Sequence, residues 1–256
     1  VLMEPPGQLR RGAALGLAHI GVLKVLEKEK IPIDMIAGSS IGALLGALYA
    51  IGKKPEEIEE IVLGAKASVW AGYLLDFSLC PLTGLIHGKN IMQYFKKHFR
   101  NKTFDDCRIP LKITAVNLSQ KRVMDIDSGL VSEAVRASIS IPAIFRPVVT
   151  NEGVIIDGGI LSPLPIRTLQ RAGVQKIIAV NVFPSSADIL EKRKRDEEKE
   201  RQRERVVRKK NFMMHILFGL QKFLKKKMSA NMVDILMNTI QFMESEIAEI
   251  ESEAAD

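Results

Sequence analysis

A short apolar run, Ile33–Ala37, leads directly through Gly38-Ser39-Ser40-Ile41-Gly42 into Ile41–Ile51, a stretch rich in Ala and Leu. So few residues between an apolar run and a helix-forming one leave a single reading: a buried strand that turns sharply and continues as a helix. Gly38 and Gly42 suit that turn, because side chains there would collide with the neighbouring strand and helix. Gly38–Gly42 also matches G-x-S-x-G, the elbow that holds a serine hydroxyl exposed at a helix N-terminus. The pattern alone arises by chance about 0.07 times in a chain of this length, so its weight comes from the strand-to-helix setting. The competing account is a tight turn whose serine does no more than cap the helix.

The rest of the chain continues the alternation. Residues 17–30 have helical spacing and stop before Pro32, and Pro55 opens another helix with Glu56, Glu57, Glu59 and Glu60 in its first turns. Ile109–Leu118, Lys121–Ile126 and Val154–Ile156 read as strands, as does the apolar stretch Lys176–Phe183, while Val131–Ser138 and Leu164–Ala172 read as helices. Strands alternating with helices predict an α/β fold with a mostly parallel sheet flanked by helices. At 256 residues the chain is expected to form a single domain over 1–256, and its opening on Val1 instead of Met, with the family resemblance given below, implies a fragment at both ends. Met232, Leu236, Ile240, Met243, Ile247 and Ile250 form one stripe at helical steps, which predicts a last helix with that stripe on the core.

Composition narrows the class. Hydrophobic residues make up 46% and charged residues 26%, too apolar for a disordered chain. The longest weakly polar run, Ile41–Gly52, is too short to span a bilayer as a helix. Two cysteines, Cys80 and Cys107, do not make a disulfide framework and suit a reducing cytoplasm. The net charge of +7 is concentrated: Asp188–Lys227 holds 15 Lys and Arg against 7 Asp and Glu. Residues 188–228 therefore read as a basic amphipathic helical insertion fit for peripheral contact with an anionic membrane. A charged solvated helix followed by a packed one is the plainer account. Nucleic acid is the weaker partner, since only Phe183, Phe212, Phe218 and Phe223 lie in or near the basic arm.

A serine hydroxyl needs a base. Asp157 follows a three-residue apolar strand and precedes Gly158-Gly159, so another loop could approach it closely; an ordinary Asp-Gly turn would look the same. His215 completes the chain order of a Ser–Asp–His hydrolase but lies within the basic stretch. There is no H-E-x-x-H and no paired Cys-x-x-Cys, and no metal or cofactor is expected.

Four blocks then resemble a known family in order and spacing: Gly12–Leu23, Ile36–Ala43, Glu133–Pro142 and Asp157-Gly158-Gly159. They resemble the patatin-like phospholipases, in particular bacterial members related to neuropathy target esterase. The resemblance covers about residues 12–183. It implies a three-layer fold and a serine lipid acyl hydrolase that works through a Ser–Asp dyad and an acyl-enzyme. Ser40 would be the nucleophile, Asp157 the base, and backbone amides of Arg11, Gly12 and Ala13 the oxyanion hole. Gly38 and Gly42 would form the elbow, with Gly158 and Gly159 supporting the aspartate. The substrate would be a lipid or other ester, and the setting cytoplasmic with peripheral membrane contact.

The N-terminal block departs from the family pattern of clustered glycines followed by Arg or Lys. Arg11 stands at the first glycine and Leu15 at the basic residue, and Pro5-Pro6 replaces the expected first strand. A malformed oxyanion loop would lower activity. The alternative function is therefore a catalytically impaired hydrolase fold that binds a membrane surface or a partner.

Overall fold

The computed structural model describes residues 7–64, 86–183 and 232–253, with positions 194, 195 and 198 between them. The chain divides into two compact units, one of Val1–Val182 with Glu246–Asp256, the other of Phe183–Ser245. The basic stretch 188–228 falls in the second unit and, apart from three positions, outside the described residues, as do Cys80 and His215.

The first unit opens on helix α1 (Gly7–Lys28), followed by strand β1 (Ile36–Ser39), helix α2 (Ile41–Ala50) and helix α3 (Pro55–Gly64). Next come α4 (Lys89–Phe99), β2 (Leu111–Asn117), β3 (Arg122–Ile126), α5 (Val131–Ser138), β4 (Val148–Thr150), β5 (Gly153–Asp157) and α6 (Ile166–Arg171). The last helix, α7, runs over Met232–Glu253. No described helix is long and apolar enough to cross a membrane.

The α/β architecture expected from the sequence is present, but the sheet is mixed. Among the described residues β1–β2 is the one parallel pair, and β2–β3, β2–β5 and β4–β5 are antiparallel. The apolar stretch Lys176–Phe183, expected as a buried strand, takes no strand conformation, and Ile178 is exposed. Its β-branched residues supply propensity, but a strand also needs a partner edge, and propensity alone does not provide one.

β2 is the centre of the sheet. Its residues Ile113–Asn117 are all buried although successive side chains point to opposite faces, so both faces of the strand are covered. On one edge it pairs with β3. On the other edge it pairs with two strands in succession: Ile36–Ser39 of β1 lie opposite Leu111–Thr114, and Asp157–Ile155 of β5 lie opposite Ala115–Asn117. One strand is parallel and the other antiparallel, so their carboxyl ends meet head-on at Thr114 and Ala115. The core around this centre includes Leu45, Leu48, Ile58, Phe95, Phe99, Ile113, Val131 and Val135.

Two other expectations change. Leu236, Met243 and Ile250 of the α7 stripe are exposed, whereas Ala248 and Glu251 are buried. Polar bonding turns the end of that helix: the Glu251 carboxylate accepts from the Ser162 hydroxyl at 2.7 Å and from the Leu164 amide at 2.9 Å. The second change is at the N-terminus, where Arg11, Gly12 and Ala13 lie inside α1 rather than in a loop. Ala13, Ala14 and Leu15 are strong helix formers, and with Arg11 in place of the first glycine the stretch has little to break a helix.

Glu251→Ala is expected to lower stability by about 1–3 kcal/mol, since it strands a buried hydroxyl and a buried amide. Urea denaturation measures the loss, and hydrogen exchange should show it as faster exchange at Leu164.

Candidate active site

The head-on meeting of β1 and β5 puts Ser40, the residue after β1, beside Asp157, the last residue of β5. The Ser40 hydroxyl donates to Asp157 Oδ2 at 2.7 Å. The other carboxylate oxygen, Oδ1, accepts from the Gly159 amide at 2.7 Å. Ser40 and Asp157 are 117 positions apart in sequence, and no local pattern could bring them together.

Ser40 is in the left-handed region, with φ 51° and ψ −121°, a conformation that costs a non-glycine residue on the order of 1–3 kcal/mol. This is the sharp strand-to-helix elbow expected from Gly38–Gly42. Gly38 is required by space: a Cβ there would lie 2.6 Å from the Gly42 carbonyl oxygen and 2.7 Å from Ala43 Cα. Gly158 is tighter still, with a Cβ falling 2.2 Å from the Thr114 carbonyl oxygen. The absent side chain at Gly38 lets β1 turn tightly into α2, and the one at Gly158 lets the aspartate turn close on Thr114 of β2. Gly42 lies in the first turn of α2, and Gly159 directly after Gly158 in the single helical turn that follows β5.

Ser40 is half-buried, while Asp157 is 1% exposed. Burial disfavours the charged carboxylate and pushes the Asp157 pKa up to about 7, against the opposing pull of the bonds from Ser40 and Gly159. A carboxylate poised near neutrality can take a proton from a serine hydroxyl and return it.

The Ser40 main chain is also held. The Ser40 amide donates to the Ser138 hydroxyl at 2.9 Å, and that hydroxyl donates to the Thr114 carbonyl at 2.7 Å. No sequence signal singles out this contact: Ser138 lies within the family-like block Glu133–Pro142, at the end of a short buried helix. Imidazole Nε2 of His19, on α1, lies 3.7 Å from the place a Cβ on Gly42 would take, so α1 packs against the start of α2.

Arg11, Gly12 and Ala13, expected to supply oxyanion-hole amides, lie within α1 instead of in a loop. Inside a helix that begins at Gly7, their amides point to the carbonyls four residues earlier. Among the described residues no group of three or more His, Cys, Asp or Glu side chains could hold a metal ion.

Two measurements follow from this geometry. Gly158→Ala is expected to cost about 3 kcal/mol, because the added methyl meets backbone rather than a movable side chain; thermal melting tests it. Asp157→Asn is expected to raise the melting temperature, and more at pH 8 than at pH 5. The folded pKa of Asp157 lies above its unfolded one, so the carboxylate lowers stability increasingly as pH climbs from about 4 to about 7. The neutral amide removes that cost.

The sequence profile of the patatin-like phospholipases matches residues 12–169. The lysophospholipase NTE1 of Kluyveromyces lactis is 32% identical over 174 residues, 67% of this chain and 12% of that protein. Its counterpart in Candida albicans is 34% identical over 178 residues, 67% of this chain and 12% of that protein. The chain thus spans a small part of the length of these relatives. Among solved structures, VipD from Legionella pneumophila overlaps 58% of this chain and 44% of its own, with a TM-score of 0.45 and 14% identity. The profile covers more than half of the chain and contains both the serine elbow and the buried aspartate, and on that ground the chain belongs to the patatin-like phospholipase family.

Proposed function

We propose that this chain is a serine lipid acyl hydrolase that cleaves carboxylic esters through a Ser40–Asp157 dyad. The observation that carries this reading is the 2.7 Å bond between a hydroxyl on a strained elbow and a carboxylate that burial holds near neutrality. Family membership and relatives named lysophospholipase support a phospholipid or lysophospholipid substrate.

In the first step Ser40 Oγ attacks the ester carbonyl carbon as its proton passes to Asp157 Oδ2. Collapse of the tetrahedral intermediate breaks the bond to the alcohol, which leaves with the proton from Asp157. Water then attacks the acyl-enzyme, Asp157 takes a water proton, and the fatty acid departs as Ser40 is reprotonated. The developing oxyanion needs donors. The opening amides of α2, at Ile41 and Gly42, are the natural supply, because a helix leaves its first amides without intrahelical acceptors and its dipole favours negative charge there. Residues 188–228 would bring the chain to anionic lipid, a role carried by their charge alone. Vesicle flotation with and without that segment, in anionic and neutral lipid, tests it.

Hydrolysis of a p-nitrophenyl ester series by the purified chain is the direct experiment. Ser40→Ala and Asp157→Asn should each lower kcat by on the order of 10³-fold or more, and His215→Ala should leave it unchanged. For the wild type, kcat/KM should rise with pH through about 7, where Asp157 becomes the ionised base. A folded wild-type protein that hydrolyses no ester would overturn the reading and favour the impaired fold. Loss of turnover in the His215 variant would replace the dyad with a triad.

A further inference from the structure

The segment that ends α5 touches both members of the dyad through their main chains. The Ser138 hydroxyl is fully buried and uses both of its functions: it accepts from the Ser40 amide and donates to the Thr114 carbonyl. Two residues on, the Ser140 carbonyl accepts from the Asp157 amide at 3.0 Å. Ser140 is itself locked, because its hydroxyl accepts from Arg136 Nη1 at 2.7 Å and donates to the Arg136 carbonyl at 3.0 Å. The Arg136 guanidinium is buried, donates also to the carbonyls of Arg146 (2.8 Å) and His87 (3.3 Å), and lies over the Phe145 ring. Bonded at several points to neighbouring backbone, it is a rigid anchor rather than a group free to reach a substrate.

We propose that Ser138 is a positioning residue for the dyad, holding the Ser40 main chain in its left-handed conformation while Ser140 holds that of Asp157. A single short segment, braced by Arg136, thereby sets the distance between nucleophile and base. The inference rests on the Ser40–Asp157 reading and extends it to residues that touch neither substrate nor the transferred proton.

The physical reasoning concerns strain. A serine at φ 51° relaxes toward ordinary backbone unless something over-determines it. Gly38 permits the elbow but does not hold it, whereas a bond from the strained residue's own amide does. Without Ser138 Oγ the Ser40 amide and the Thr114 carbonyl both lose a buried partner, and the Ser40 main chain can rotate to find another. The hydroxyl then leaves Asp157. An ångström of misplacement in a reacting group is enough to lower a rate by on the order of 10²-fold.

The experiment compares Ser138→Ala, Ser138→Thr and Val135→Ala with the wild type. Val135 is a buried apolar residue of the same helix with no bond to the dyad, and serves as the control for lost packing. Ser138→Ala should lower kcat by on the order of 10²-fold with KM changed less than about twofold. Its pH–rate limb should move to higher pH, because the Ser40 bond that holds the Asp157 pKa down is weakened. Ser138→Thr should restore much of kcat, and Val135→Ala should lower the melting temperature while leaving kcat and the limb in place.

The titration of the Asp157 carboxyl, followed by carbon NMR on labelled protein, reads the same geometry without turnover. An upward shift in Ser138→Ala supports positioning even if the wild type hydrolyses no ester, an outcome that would sink the dyad reading alone. An Asp157 titration unchanged in Ser138→Ala would overturn the proposal whatever the turnover. Equal losses of kcat in Ser138→Ala and Val135→Ala would overturn it too, by reducing Ser138 to ordinary packing.

Discussion

The structure depends on one edge of β2 being shared by two strands that arrive from opposite directions. β1 pairs with Leu111–Thr114 and stops, and β5 pairs with Asn117–Ala115 and stops. Neither can continue, because the other occupies the hydrogen-bonding groups it would need. Both chains must therefore turn away from the sheet at the same place, and the residues at those turns are Ser40 and Asp157. The Thr114 carbonyl sits at the junction: it accepts from Ser138 and would meet a Cβ on Gly158. A sheet more commonly builds its site along the carboxyl ends of parallel strands. Here the same adjacency comes from an antiparallel neighbour, and the two carboxyl ends face each other instead of lying side by side.

That junction explains the electrostatics. A carboxylate at the end of a buried strand is cut off from water, and its charged form is sustained by a hydroxyl and an amide instead of a cation. Two neutral donors offset part of the desolvation and leave the carboxyl with a pKa of about 7. A lysine or arginine in the same position would hold the carboxylate ionised and weaken it as a base. The site thus lowers stability on two counts, burial of Asp157 and strain at Ser40. Its hydrogen-bonded frame and the surrounding core have to offset both.

The N-terminus shows how a local substitution pattern redirects a whole segment. Glycines at the beginning of the family pattern permit a loop; Ala13, Ala14 and Leu15 permit and favour a helix. Continuing α1 back to Gly7 places Arg11, Gly12 and Ala13 in a helix, where amides point to the carbonyls four residues earlier. The conflict was visible in the residues, since Arg11 and Leu15 break the pattern, but its outcome was not. Helix propensity acts over several residues together, and it wins only when no tertiary contact holds the loop open.

Local signals were therefore enough for the elements that interact mainly with themselves. The elbow at Gly38–Gly42, the helix that follows Ser40, the helix that ends at Ser138, and the strands ending near Asn117 and Asp157 were legible from periodicity, glycine spacing and helix breakers. Ser40 and Asp157 were legible as candidates as well, because each is flanked by glycines, although an ordinary turn would have looked the same. Other features lay beyond the sequence: the reversed direction of β5 against β2, the loss of the Lys176–Phe183 strand, the turned face of α7 and the bonds from Ser138 and Ser140. Strand direction and pairing are decided by which edges remain open once the other strands are placed. Helix rotation is decided by the polar partner that a buried group such as Glu251 must find. Each is a contest among residues far apart in the chain, and a one-dimensional pattern records the competitors but not which of them prevails.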